Sequence, residues 1–280
     1  MIPNQIVDAS DSVPSQSSTT SRALHASLFM VCGILFLALT LWAASGRYLP
    51  GEQYLLHVIV EHRIPLLNQP ALLVSTLGSI NIILPLWAAT LIILAMRRMS
   101  NDVLWIFFVP LGYPLYVLIK SGVGRPGPLP SQYPWLYDLP LGYYVEGLLR
   151  RQLQALPPQG LSLPVTSQPV TAQGVTQVME SGYVSGHALV AVLFYGSLAL
   201  ILWRQAERGS LRWLVARLLA ILAVLVGIVR IYMGIHFPSD VLGAWLLAIL
   251  CFILIDDWVR IITPRVLLVR QHLNKRQAIP

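Results

Sequence analysis

An all-α integral membrane bundle of six transmembrane helices, with an extracytoplasmic loop insertion, is the fold class this sequence predicts. Three observations carry that expectation. Of 280 residues, 56% are hydrophobic and 11% charged, with mean hydropathy +0.67, a composition far from that of an ordinary soluble domain. Six apolar runs each approach the ~20 residues a helix needs to cross a bilayer. The formal charge of +7 gathers largely at the ends of those runs and in the C-terminal stretch, which suits anionic lipid; no basic stripe with interleaved aromatics suggests nucleic acid.

Residues 1–22, with "DASDSVPSQSSTTSR", are too polar to bury a core and read as a flexible tail. Their start is long and acidic where a signal peptide would be basic, so the first span, about 25–44, reads as retained. A polar connection with "HVIVEHR" follows, then a short re-entrant or interfacial piece near 65–73. The second span covers about 75–96 and stops at Arg97 and Arg98; the third is about 103–119. Residues 121–182, rich in Pro, Gly, Gln and Ser, form the long loop. Within it "GYYVEGLLRRQLQAL" has the spacing of an amphipathic helix for the membrane surface or of a lid. The fourth, fifth and sixth spans follow at about 184–203, 211–228 and 238–255. The six-span domain is thus 23–258, and 259–280 is a basic tail whose plain role is to fix topology and touch anionic lipid. Cys32 and Cys251 both sit in apolar runs and read as small buried side chains.

Positive charge orients the bundle, since cytoplasmic loops carry the excess of Lys and Arg. Arg97 and Arg98, then Arg204, Arg208 and Arg212, then the C-terminal tail all fall on one side of a six-span chain. That side is expected to be cytoplasmic. Lys120, Arg125, His187, Arg230 and His236 then face outward, where the charge rule disfavours cations, and anion binding is the reason available. "VRIYMGIHFPSDVLGAWLLA" concentrates the puzzle: Arg230, His236 and Asp240 stand between two apolar runs, and an ionisable group near bilayer depth marks a functional site by default.

Each group has a chemical use around phosphate. Lys120 and the arginines neutralise it, guanidinium giving forked contacts to its oxygens. Gly182 and Gly186 flank the start of the fourth helix, where free N–H groups and the dipole favour an anion. Pro238 opens the sixth helix, placing Asp240 in its first turn within reach of His236. A carboxylate on one ring nitrogen aims the other, so His236 suits a nucleophile and His187 the acid that protonates the departing oxygen. The Gly and Pro of "MGIHFP" are where the chain can fold back to bring Arg230 and His236 together.

Three stretches, "IKSGVGRPGP", "VSGH" and Arg230 with His236 and Asp240 at spacings of six and four, resemble the three signature motifs of the type 2 phosphatidic acid phosphatase family, membrane lipid phosphatases whose site is shared with vanadium-dependent haloperoxidases. The resemblance implies His236 as nucleophile, Asp240 as its orienting partner and His187 as general acid. It implies Lys120, Ser185, the Gly186 N–H and Arg230 as phosphate holders, with no metal or other cofactor. The implied substrate is a lipid phosphate or diphosphate, of the undecaprenyl diphosphate or phosphatidylglycerol phosphate type, hydrolysed at the extracytoplasmic face of the cell membrane among membrane lipids. The first motif departs from the family's lysine, six residues, Arg-Pro: the seventh position after Lys120 is Gly127. Arg125, two residues early, is the nearest replacement, and Arg150 and Arg151 are the others. Val184 and Val229 stand where the family usually has proline and serine. Other readings stay open: a family member with altered specificity, such as a phosphotransferase, or a non-catalytic lipid-phosphate binder; a haloperoxidase; and an anion or lipid transporter, which predicts discontinuous spans and repeat symmetry.

Overall fold

Helices dominate the computed structural model, which describes residues 16–128 and 182–277, and no strand occurs among them. Five helices are long and apolar enough to cross a membrane: Ala23–Ala44, Asn101–Val123, Gly186–Arg204, Leu211–Tyr232 and Pro238–Thr263. Second in chain order among the described residues stands a bent pair, Pro65–Leu77 and Ile80–Met96, meeting at 49° and together long and apolar enough to be a sixth. The all-α membrane bundle expected from composition is the fold observed.

Three features differ in detail from the sequence reading. The connection with "HVIVEHR" is a helix, Glu52–Glu61, that turns Leu56 and Glu52 inward and leaves Tyr54 and Leu55 exposed. Its apolar residues have helical spacing, and the charged ends mask it. The first helix begins at Gln16, inside the stretch read as tail, and the last continues from Pro238 to Gln277. The surface helix or lid expected between 142 and 156, with Arg150 and Arg151, lies outside the described residues.

Specific contacts hold the spans together. One core joins Ala43 of the first span, Ile106 of the third, Leu189 and Leu193 of the fourth, and Val241, Ala244 and Ala248 of the sixth. A second packs Ala223 and Val226 of the fifth against Phe194 of the fourth and Ile83 of the second. Small residues permit the closest approaches: a Cβ on Gly112 would lie 2.3 Å from Leu193 Cδ1, the packing that replaces hydrophobic driving force between helices in lipid. Buried donors within the third and fourth spans find acceptors, as a medium without water requires. Trp105 Nε1 donates to Ser197 Oγ at 3.0 Å, and Ser197 Oγ donates to Leu193 O at 2.5 Å. That bond lies beside a π-helical turn, Val192–Gly196, within the fourth span. Where the second span breaks, the Tyr195 hydroxyl donates to Leu77 O at 2.8 Å. Gly78 fits there because an added Cβ would meet Val226 at 2.4 Å and the His187 carbonyl at 3.4 Å.

Candidate active site

Three reversals of the chain bring the charged groups to one end of the bundle. After the third span, Gly124 adopts φ +60° and donates to Lys120 O at 3.2 Å, the left-handed cap that ends a helix and turns the chain. The residues beyond it meet the approach to the fourth span: Gly182 N donates to Arg125 O at 2.7 Å. After the fifth span Gly234, at φ +72°, closes a Schellman turn in which Ile235 N and His236 N both reach Arg230 O, at 3.1 and 3.3 Å. This is the reversal expected of "MGIHFP", and it hands the chain directly to Pro238.

Asp240 is the hub. Its Oδ2 accepts from Phe237 N at 2.9 Å, half of a capping box on the sixth helix, and lies 3.4 Å from His236 Nδ1. With Nδ1 turned to the carboxylate, Nε2 is the ring nitrogen left with a lone pair to offer. Burial pushes the His236 imidazole below its ordinary value, and the Arg230 and Lys120 charges add to that; the hydrogen bond and charge of Asp240 oppose it. Lys120, Arg230 and His236 are also the groups whose charge acts on His187, in the first turn of the fourth span. Ser185 N donates to Asp240 O at 3.0 Å, while Ser185 Oγ is buried and has no hydrogen-bond partner among the described residues. His187, His236, Asp240, Lys120, Arg230, Ser185 and Gly186 are therefore gathered as the sequence led us to expect.

Arg125 is in the cluster but on the other side of Asp240. Its Nη2 donates to Asp240 Oδ1 and, at 2.7 Å, to Ser239 Oγ. Its Nη1 lies 3.4 Å from Glu52 Oε1 and 3.3 Å from Arg47 O. The rings of Tyr48, Tyr183 and Phe237 lie 5.2, 5.5 and 5.8 Å from the guanidinium carbon, leaving the residue 1% exposed. This corrects the expectation that Arg125 bends into the place left by Gly127. The turn at Gly124 sends its side chain beneath Asp240 instead. Gly127 itself lies against Gly182, where an added Cβ would come 2.8 Å from Gly127 Cα and 3.1 Å from Asp240 Oδ2. Tyr183 also closes this side: its hydroxyl meets Thr40 Oγ1 at 2.8 Å, and burial pushes its pKa up to about 12, so it stays protonated.

Three contributors escaped the sequence reading. Tyr116 receives a hydrogen bond from Lys120 Nζ at 3.0 Å and lies so close to Gly186 that a Cβ there would meet its ring at 2.8 Å. Its spacing of four from Lys120 on one helix was the available signal. Ser75, buried in the bent span, accepts from Arg230 Nη1 at 3.1 Å. Glu52 accepts from Leu49 N at 2.8 Å and from Ser239 N at 3.1 Å; no motif pointed to either residue. Among the described residues no three His, Cys, Asp or Glu side chains are grouped to hold a metal ion. The cluster presents instead two cations, two imidazoles and one oriented carboxylate, a set able to bind an oxyanion and exchange protons with it.

Comparison with known proteins gives three likenesses. The sequence profile of the PAP2 superfamily matches residues 136–263. Phosphatidylglycerophosphatase B of Bacillus subtilis (strain 168) is 38% identical over 77 residues, which are 27% of this chain and 38% of that protein's length. In three dimensions the chain is similar to the crystal structure described as the first transmembrane PAP2 type phosphatidylglycerolphosphate phosphatase from Bacillus subtilis. The TM-score is 0.55 at 21% identity, covering 82% of this chain and 94% of that one. The profile match thus takes in the fourth to sixth spans, just under half of the chain, and the likeness in fold extends over most of the bundle: over these residues the chain is similar to the PAP2 superfamily.

Proposed function

We propose that this protein is a membrane lipid phosphatase that works through a phosphohistidine intermediate without a metal ion. The observation that carries this reading is the His236–Asp240 pair, with its 3.4 Å Nδ1–Oδ2 separation, set among Lys120, Arg230 and His187. His236 Nε2 attacks phosphorus, forming an N–P bond as the P–O bond to the lipid breaks, and His187 gives its proton to the departing oxygen. A water then loses a proton to His187 and attacks phosphorus, and the N–P bond breaks to free phosphate and His236. Lys120, Arg230, Ser185 Oγ and the Gly186 N–H stabilise the charge on the phosphoryl oxygens. The Tyr116 hydroxyl, held by Lys120, supplies a further contact in a site where Gly127 replaces the usual arginine.

Phosphatidylglycerol phosphate is the first substrate to try, because the Bacillus subtilis relative is named for it; undecaprenyl diphosphate and phosphatidic acid are the next. The site faces outward in this reading, because Arg97, Arg98, Arg204, Arg208 and Arg212 in the connections at the opposite end outnumber Arg47 and Arg63 at the site's end. Phosphate release by purified protein from these three lipids, in EDTA and with or without vanadate, tests the reading. We expect release that survives the chelator and is blocked by vanadate. No release from any lipid phosphate, or release only with added divalent cation, would overturn it.

A further inference from the structure

Behind His236 lies a sealed ion cluster in which Asp240 is joined by two groups that the hydrolytic steps do not use: Glu52, Arg125 and Asp240 are 4%, 1% and 0% exposed. Burying three charges is costly, and a buried charge is tolerated only when paired and hydrogen-bonded. Here two carboxylates share the Nη1 and Nη2 groups of one guanidinium, while its Nε has no hydrogen-bond partner among the described residues. Arg125 takes Asp240 by Oδ1, leaving Oδ2 for His236 and the Phe237 N–H. Glu52 shares the same guanidinium by Oε1, and its Oε2 holds the Ser239 N–H in the first turn of the sixth helix. The charges sum to minus one. With Arg125 alone the pair would be neutral, and Asp240 would do little for a cationic imidazole; Glu52 restores the negative charge without touching His236.

We infer that Glu52 and Arg125 are positioning residues for the reaction proposed above, fixing the Asp240 carboxylate while keeping the cluster behind His236 anionic. Arg125 orients and Glu52 sets the charge. Neither touches the substrate, so phosphate is held by Lys120, Arg230 and the start of the fourth helix.

The test uses three variants of the full chain: Glu52→Gln, Arg125→Met and the double variant. The groups facing His236 are Asp240 from its own turn, Arg230 from the fifth span, Lys120 from the third and His187 from the fourth, and all remain intact. Glu52→Gln makes the cluster neutral and Arg125→Met makes it doubly negative. The acid limb of kcat/KM should therefore move to lower pH in the first and to higher pH in the second, each by about half a unit or more. The double variant restores the charge but not the hold on Asp240: its acid limb returns toward wild type while kcat stays down about tenfold or more, with KM within about twofold. Arg125→Lys should recover part of that kcat.

Shifts in the same direction for both single variants, or no shift, would overturn the inference. So would a rise in KM as the main effect of Arg125→Met, which would return Arg125 to the phosphate site. Should Arg125→Met fail to fold, Glu52→Gln and the double variant still decide between these outcomes. If the wild-type protein hydrolyses no lipid phosphate, the hydrolase reading fails separately, and the same opposed shifts are sought in vanadate affinity against pH, which needs no turnover.

Discussion

Arg125 and Arg230 stand in motifs that face the same end of the bundle, yet their surroundings differ. Arg125 is sealed among three aromatic rings with two carboxylates on its guanidinium. Arg230 is half-buried, its Nη1 resting on the neutral hydroxyl of Ser75. Buried carboxylates on a guanidinium offset its charge inside the protein, whereas a hydroxyl contact such as that of Ser75 offsets none. The lesson is that identical side chains close to the same histidine differ by what packs around them.

Mutations can break or sharpen this contrast. The largest effect is expected at His236, the nucleophile of the proposed reaction: His236→Ala should lower kcat by about 10³ or more, since no neighbour can form the covalent bond. Mass spectrometry after an acid-avoiding quench should show a phosphoryl group on wild-type His236 alone. Next, Arg230→Ala should lower kcat/KM by about 10² to 10³, the scale of one lost transition-state donor, and Arg230→Lys should recover little because the fork is lost. An effect under about fivefold would remove Arg230 from the phosphate site and erase the contrast with Arg125.

Smaller effects sharpen it. Tyr116→Phe should cost about fivefold to tenfold in kcat/KM, the worth of one neutral hydrogen bond, and a larger loss would make Tyr116 the main substitute for the arginine absent at Gly127. Ser75→Ala should cost less, about twofold to fivefold, acting through the aim of Arg230. The pH profile follows from sign: His236 must be neutral to attack, and burial lowers its pKa. Activity should therefore persist as pH falls through the ordinary imidazole value of about 6.5 and fail only below it. An acid limb above that value would show that the charge of Asp240 outweighs burial at His236.

Much of the site was legible because its signals are local. The spacings of Arg230, His236 and Asp240, with Gly and Pro between, encode one turn and one helix start, and the structure realises both through Gly234 and Pro238. Apolar run length likewise gave the spans, because in lipid every backbone group must be satisfied within its own helix. The misplaced residue was Arg125, read as near Lys120 because it is near in sequence. The left-handed turn at Gly124 and a carboxylate 73 residues earlier decide its direction, and neither distant pairing nor side-chain rotation leaves a periodic trace. Glu52 went unseen for the same reason: its partners, Arg125 and Ser239, come from other segments. Tyr116, four residues from Lys120, was within reach of helical spacing.

The last helix turns these details into a measure of the bilayer. Asp240 anchors its first turn to the buried cluster, and Asp256, sixteen residues on by sequence number, is held by Arg260 at 2.6 Å and Arg204 at 3.7 Å. At 1.5 Å per residue the two aspartates stand about 24 Å apart along one unbroken rod, shorter than the ~30 Å of a typical hydrocarbon core. A thicker membrane cannot be met by tilting, which only shortens the span further; it must thin around the protein or draw one aspartate toward the acyl chains. Activity reconstituted in vesicles should therefore decline as acyl chains lengthen, by about twofold to threefold across the common range given the modest cost of mismatch, and a flat response would show that the rod is not the gauge.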